Sequence, residues 1–179
     1  SISWAEDVCT GLTASAIKSS EIALPTRGAT VVTGLILSTG KDDLAQSDVC
    51  HIQGIIYSVS DAPDIHFEAA FPSSWNGRAL MLGGGGYNGV IPDVLHSPFG
   101  EVGPGGVVES PLQRGYVVFA SDSGHQASGK TLDRFVDGEF LQYEEALSNY
   151  AGDALKKTKD AVYYLLSRYY GKEPAYLYF

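Results

Sequence analysis

At 179 residues, with 44% hydrophobic and 18% charged positions, the chain has the length and apolar content of one globular domain and not of a disordered segment. Its formal net charge of -9 and pI near 4.7 argue against nucleic acid or anionic membrane as the main partner, since both repel a negative surface. No apolar run approaches the length of a membrane span, and Ser1-Ile2-Ser3-Trp4 carries no signal-peptide pattern and reads as the exposed start of a processed chain.

Two cysteines, Cys9 and Cys50, come first in chain order. Paired, they would close a loop contributing roughly 4 kcal/mol in the chain-entropy model. Unpaired, they are two buried thiols, and the residues alone leave both readings open. No His or Cys stands at ligand spacing, so no metal site is expected.

Thr30 to Leu37, Cys50 to Val59 and Ile65 to Phe71 read as strands. The last alternates, with Ile65, Phe67, Ala69 and Phe71 on one face and His66, Glu68 and Ala70 on the other. Short connections imply antiparallel pairing. Pro72-Ser73-Ser74 ends that strand, and Trp75-Asn76-Gly77 makes a turn.

Arg78 to Leu82 and Gly115 to Ala120 are continuous apolar runs, as expected of strands buried on both faces. Between them a Gly- and Pro-rich connection runs from Gly83 to Gln113. A connection this long without secondary structure is usually functional, and it is expected to wall a pocket. Leu147, Tyr150, Ala151, Ala154, Leu155, Thr158, Ala161, Val162, Leu165, Leu166 and Tyr169 then repeat at helical steps. They predict one helix from about Tyr143 to Tyr169, roughly 40 Å long, with Gly171 at its left-handed cap and Pro174 preventing continuation. Ala175 to Phe179 reads as a closing strand. The order strand, loop, strand, helix, strand is the front of an α/β fold.

Four glycines, Gly83 to Gly86, follow the first buried strand. A backbone N–H stabilises a developing oxyanion only if the chain comes close and turns inward, and glycine permits both. The run therefore suits the oxyanion loop of an ester hydrolase. Gly84, Gly86 and Gly89 also match the dinucleotide fingerprint G-x-G-x-x-G, but that motif needs a helix to begin at once, and Val90-Ile91-Pro92 follows instead. A purely structural glycine turn is the remaining alternative.

Ser121-Asp122-Ser123-Gly124-His125-Gln126 ends the second buried strand, where α/β sheets bind ligands. A compact Ser-Asp-His triad does not fit, because a triad is assembled from separate loops. Ser121 and His125 also occupy the glycine positions of G-x-S-x-G around Ser123. Asp122 and Ser123 are expected to fix the turn by backbone hydrogen bonds. His125 lines the pocket or serves structure, and His51, His66 and His96 read as surface or satisfied histidines.

Leu82-Gly83-Gly84-Gly85-Gly86-Tyr87-Asn88-Gly89, Pro111-Leu112-Gln113-Arg114-Gly115-Tyr116 and Ser121-Asp122-Ser123-Gly124-His125-Gln126 together resemble the tannase and feruloyl esterase family. Ile65-His66-Phe67-Glu68 with Pro72-Ser73-Ser74-Trp75-Asn76-Gly77, and the helix end Tyr169-Tyr170-Gly171, add to the resemblance, which runs from about Cys9 to Phe179. It implies the front part of an α/β-hydrolase sheet, with a β-rich extension over about 1–62 and the hydrolase core beginning over about 63–179. Members are secreted and cleave esters of aromatic acids such as gallate and ferulate, and some act on aromatic polyester monomers. The resemblance places the oxyanion hole at Gly85 and Gly86 and pairs Cys9 with Cys50, while Tyr87 and His125 stand as candidate substrate-pocket residues. It also implies that the nucleophilic serine follows the strand Ala175 to Phe179, with aspartate, histidine and a lid that often holds calcium later still. This chain then assembles with a C-terminal partner, a second chain or a further segment, and is inactive by itself. The other class of reading is a non-catalytic fragment or ligand-binding module retaining the fold.

Overall fold

The computed structural model describes residues 4–38, 48–96, 102–103, 106–107, 109–127 and 138–179. The expected processed start at Ser1-Ile2-Ser3, and part of the 83–113 connection, lie outside these residues. The strands are β1 (Ala16–Ile17), β2 (Ala29–Ser38), β3 (Asp48–Ile56), β4 (Ile65–Pro72), β5 (Arg78–Leu82), β6 (Val102–Gly103), β7 (Gly106–Val107), β8 (Val117–Ser121) and β9 (Tyr176–Tyr178). Helices α1 (Trp4–Gly11), α2 (Glu144–Ser148) and α3 (Ala154–Tyr170) complete the regular elements named here.

Seven strands form one sheet in the order β1-β2-β3-β4-β8-β5-β9, while β6 and β7 make a separate hairpin inside the long connection. Pairing is antiparallel from β1 through β4, as the short connections imply. β8 enters between β4 and β5, antiparallel to the first and parallel to the second. β9 then adds in parallel on the far side of β5. This order sets the carboxyl ends of β5, β8 and β9 side by side.

The two-residue period of each strand divides the core. On β4, Ile65, Phe67, Ala69 and Phe71 face α1 and α3, together with Ile52 of β3, Phe119 of β8 and Leu165 of α3. Phe67 fits because Gly54 faces it; a Cβ there would lie 2.3 Å from the Phe67 ring. On the opposite face, Ala70, Val118 and Ala120 are covered by Val94 and Leu112 of the 83–116 connection. Its described residues Val94 and Leu112 are therefore a packed cover of the sheet.

Cys9 of α1 and Cys50 of β3 form a disulfide with Cα atoms 5.7 Å apart, both residues fully buried. Gly34 on β2 lets the helix settle, since a Cβ there would stand 2.5 Å from the Cys9 carbonyl oxygen.

The expected continuous helix from Tyr143 to Tyr169 is broken. A π-helical segment, Asn149–Asp153, separates α2 from α3, and Gly152 inside it has φ 147°. The break rotates the earlier residues out of phase, so Leu147 and Ala151 are exposed where a straight helix would bury them. From Ala154 onward the expected apolar face is buried. Lys157 joins it, its Nζ donating to Asn149 Oδ1 at 2.9 Å and lying 3.7 Å from Glu145 Oε1. Gly171 caps α3 in the left-handed conformation, with its N–H on the Ser167 carbonyl at 2.9 Å.

Candidate active site

Parallel pairing of Leu82 with Ala120 makes the loops after β5 and β8 leave the sheet together. The first loop begins with Gly83 to Gly86, all exposed. Gly86 and Asn88 both adopt left-handed backbone, with φ of 63° and 61°, a region that glycine enters freely and asparagine more readily than most residues. Asn88 N–H closes a turn on the Gly85 carbonyl at 3.0 Å. Among the described residues, the N–H groups of Gly85 and Gly86 donate to no acceptor.

Asn88 stitches this loop to the next one. Its Nδ2 donates to Ser123 Oγ at 2.7 Å and to the Ser121 carbonyl at 3.3 Å. Its amide also fills the space beside Gly84, where a Cβ would come within 1.9 Å of Oδ1. Gly89 N–H reaches the Asp122 carbonyl, and Ala127 N–H returns to Gly89.

Asp122 organises the second loop, as its sequence position implies. Oδ1 accepts from Gly124 N–H at 2.9 Å and from His66 N–H at 3.1 Å, and Oδ2 accepts from Gln126 Nε2 at 2.7 Å. Burial pushes the carboxyl up to about 6, against the lowering effect of those hydrogen bonds and of His66 nearby. Ser123 takes φ 66°, and its Oγ is held by Asn88. These contacts hold Ser123 and Asp122 as scaffold.

His125 is buried and lies flat on Phe140, with ring centroids 3.6 Å apart. Tyr87 and Tyr150 complete the cluster, at 6.2 and 5.3 Å from Phe140. A cavity of about 240 Å³ opens beside it, lined by Pro63, His125, Gln126, Glu139, Phe140, Gln142 and Tyr143, with Tyr87 outside that lining. The remaining histidines have partners elsewhere: His51 with Glu68 at 2.8 Å, His96 with Asp93 at 2.7 Å, and His66 3.9 Å from Asp122.

Sequence reasoning missed Asn88, Phe140 and Tyr150. Asn88 did carry a signal, since Asn between two glycines marks a left-handed turn position. Phe140 and Tyr150 reach the loops only through tertiary packing.

β9 ends at the same place. Phe179 lies against the start of the glycine loop, its ring 3.2 Å from where a Gly83 Cβ would stand. The three carboxyl ends therefore lie together beside the glycine loop.

Comparison with known proteins places this architecture. Residues 50–179 match the family model described as tannase and feruloyl esterase. An uncharacterized esterase of Agrobacterium fabrum is 38% identical over 177 residues, covering 98% of this chain and 30% of that protein. A mono(2-hydroxyethyl) terephthalate hydrolase of Piscinibacter sakaiensis is 40% identical over 62 residues, 35% of this chain and 10% of that protein. Feruloyl esterase B and a further esterase, both from Aspergillus oryzae, superpose with TM-scores of 0.60 and 0.57 at 17% and 20% identity. They cover 97% and 93% of this chain, which in turn spans 31% and 30% of theirs. The chain thus spans under a third of the length of these relatives, and its fold is that of the α/β-hydrolases they represent. Taken with the matched segment, which holds the glycine loop, the Asp122 turn and β9, this shows that the chain belongs to the tannase and feruloyl esterase family.

Proposed function

We propose that this chain supplies the oxyanion side of a serine carboxylic ester hydrolase acting on esters of aromatic, phenolic acids such as feruloyl or galloyl esters. The observation that carries the reading is the pair of unengaged, exposed N–H groups at Gly85 and Gly86, beside the carboxyl ends of three parallel strands. A backbone donor of this kind stabilises a tetrahedral intermediate when it is already in place as charge develops. The nucleophile and its His and Asp partners come, in this reading, from polypeptide that packs beside β9. The aromatic cluster of Tyr87, His125, Phe140 and Tyr150 fits an aromatic acid, and the named activities of two relatives, a feruloyl esterase and a terephthalate ester hydrolase, support that class. A buried disulfide fits secretion into an oxidising compartment.

The test is kinetic. Gly85 has open space where a Cβ would stand, so Gly85→Val adds bulk beside the loop N–H groups without a steric clash. Gly86→Val adds backbone strain, because φ 63° disfavours a β-branched residue. In the enzyme carrying this chain, each is expected to lower kcat on an aromatic ester by about 10²–10³ while KM changes little. Near-parental turnover in both folded variants would make the loop structural.

A further inference from the structure

We infer that Tyr150 is a positioning residue of this site, a latch that keeps the second peptide of the glycine loop from flipping; the inference rests on the oxyanion reading above. A peptide plane carries its C=O and N–H on opposite sides, so fixing one fixes the other. In the loop, two consecutive planes flank Gly86. The plane between Gly85 and Gly86 is held by Asn88 N–H on the Gly85 carbonyl at 3.0 Å. The plane between Gly86 and Tyr87 is held by the Tyr150 hydroxyl, which donates to the Gly86 carbonyl at 3.0 Å. That plane turns on ψ of Gly86 and φ of Tyr87, and on its glycine side no Cβ resists the rotation. A flip would exchange the Gly86 carbonyl with the Tyr87 N–H next to the Gly85 and Gly86 donors, setting an acceptor where a donor now points.

The helix break explains how Tyr150 gets there. Tyr150 lies in the π-helical segment Asn149–Asp153 ahead of Gly152, out of phase with the face that α3 buries. Its ring is braced by Phe140 and Tyr87 at 5.3 and 6.1 Å, so the hydroxyl is presented from a fixed base. Single-turn π segments recur at functional sites because they redirect one side chain in this way. Nothing in the core requires the hydroxyl; the ring alone does the packing.

Tyr150→Phe isolates the latch, since it keeps the ring and removes only the donor. In the enzyme carrying this chain, hydrolysis of an aryl ester and inhibition by an aryl boronic acid, which forms a tetrahedral anion, are measured with Tyr150→Phe and Gly85→Val. The inference expects Tyr150→Phe to lower kcat about tenfold and weaken the boronate by a similar factor, with KM within twofold and melting temperature unchanged. Tyr150→Phe with parental kcat and boronate affinity, beside a Gly85→Val variant that loses rate, would overturn the latch and leave the oxyanion reading standing. A fall in kcat matched by loss of melting temperature and a raised KM would make Tyr150 merely structural and overturn it too. Full activity in Gly85→Val would remove the oxyanion reading and the latch with it.

Discussion

Asp122 shows how one residue can be scaffold and liability together. Its carboxyl closes one backbone turn at Gly124 and ties it to His66 of β4, yet burial lifts it from the ordinary 3.8 to about 6. Between those values the folded protein holds a proton that the unfolded chain has released. Stability therefore falls as pH rises from about 4 to 6, by up to about 3 kcal/mol from this group. Glu68, Asp93, Glu145 and Asp160 are shifted downward and act in the opposite sense, so a single curve mixes the effects. Urea midpoints for the parent and Asp122→Asn separate them: the variant is expected to gain on the parent between pH 4 and 7. Parallel profiles would show that Asp122 is not titrating in that window. The sequence announced the turn at Asp122, because Asp after a buried strand bonds local amides. It did not announce the raised pKa, which comes from burial of the carboxyl once β4 and β8 are neighbours and which Gln126 and His66 only partly offset.

At the scale of elements, the strands and the helix from Ala154 onward were legible, and the helix break was not. β4 and β5 follow the sequence pattern to within a residue, because alternating or continuous apolar runs leave one register that buries them. The helix failed at Gly152, since apolar spacing of three and four continues across a residue whose backbone leaves the helix. A built Cβ at Gly152 meets nothing within 4 Å, so Gly152→Ala tests the backbone alone. With φ at 147°, the alanine should cost about 1–3 kcal/mol, read as a lowered urea midpoint. An unchanged midpoint would mean the segment readily adopts a straight helix. The link between α1 and β3 makes a second prediction. Cys9→Ala with Cys50→Ala should lower stability by about 4 kcal/mol for a loop of 41 residues while leaving kcat intact. Free thiols under native, non-reducing alkylation would contradict the disulfide.

For the whole molecule, the informative asymmetry is at the sheet's two ends. Among the described residues β9 pairs only with β5, and Tyr176, Leu177, Tyr178 and Phe179 are 61%, 40%, 44% and 76% exposed. A free, apolar strand edge templates association. The described chain on its own is therefore expected to self-associate in light scattering, and Leu177→Lys with Phe179→Lys is expected to reduce it. A monodisperse parent with a sharp cooperative melt would contradict this. Half of the site was readable at this scale. The glycine run and the Asp122 turn are local patterns, whereas Asn88, Phe140 and Tyr150 act across 33 to 64 positions of sequence, and their roles exist only once β5 and β8 are neighbours.

The central claim is that glycine N–H groups of this loop receive the developing oxyanion. It is tested most directly by the crystal structure of the enzyme carrying this chain after inactivation with an aryl phosphonate, whose tetrahedral adduct mimics the intermediate. The account predicts the phosphonyl oxygen about 2.7–3.1 Å from the nitrogen of Gly85 or Gly86. An oxygen turned away from the loop, with both glycine N–H groups bound to water, would contradict it.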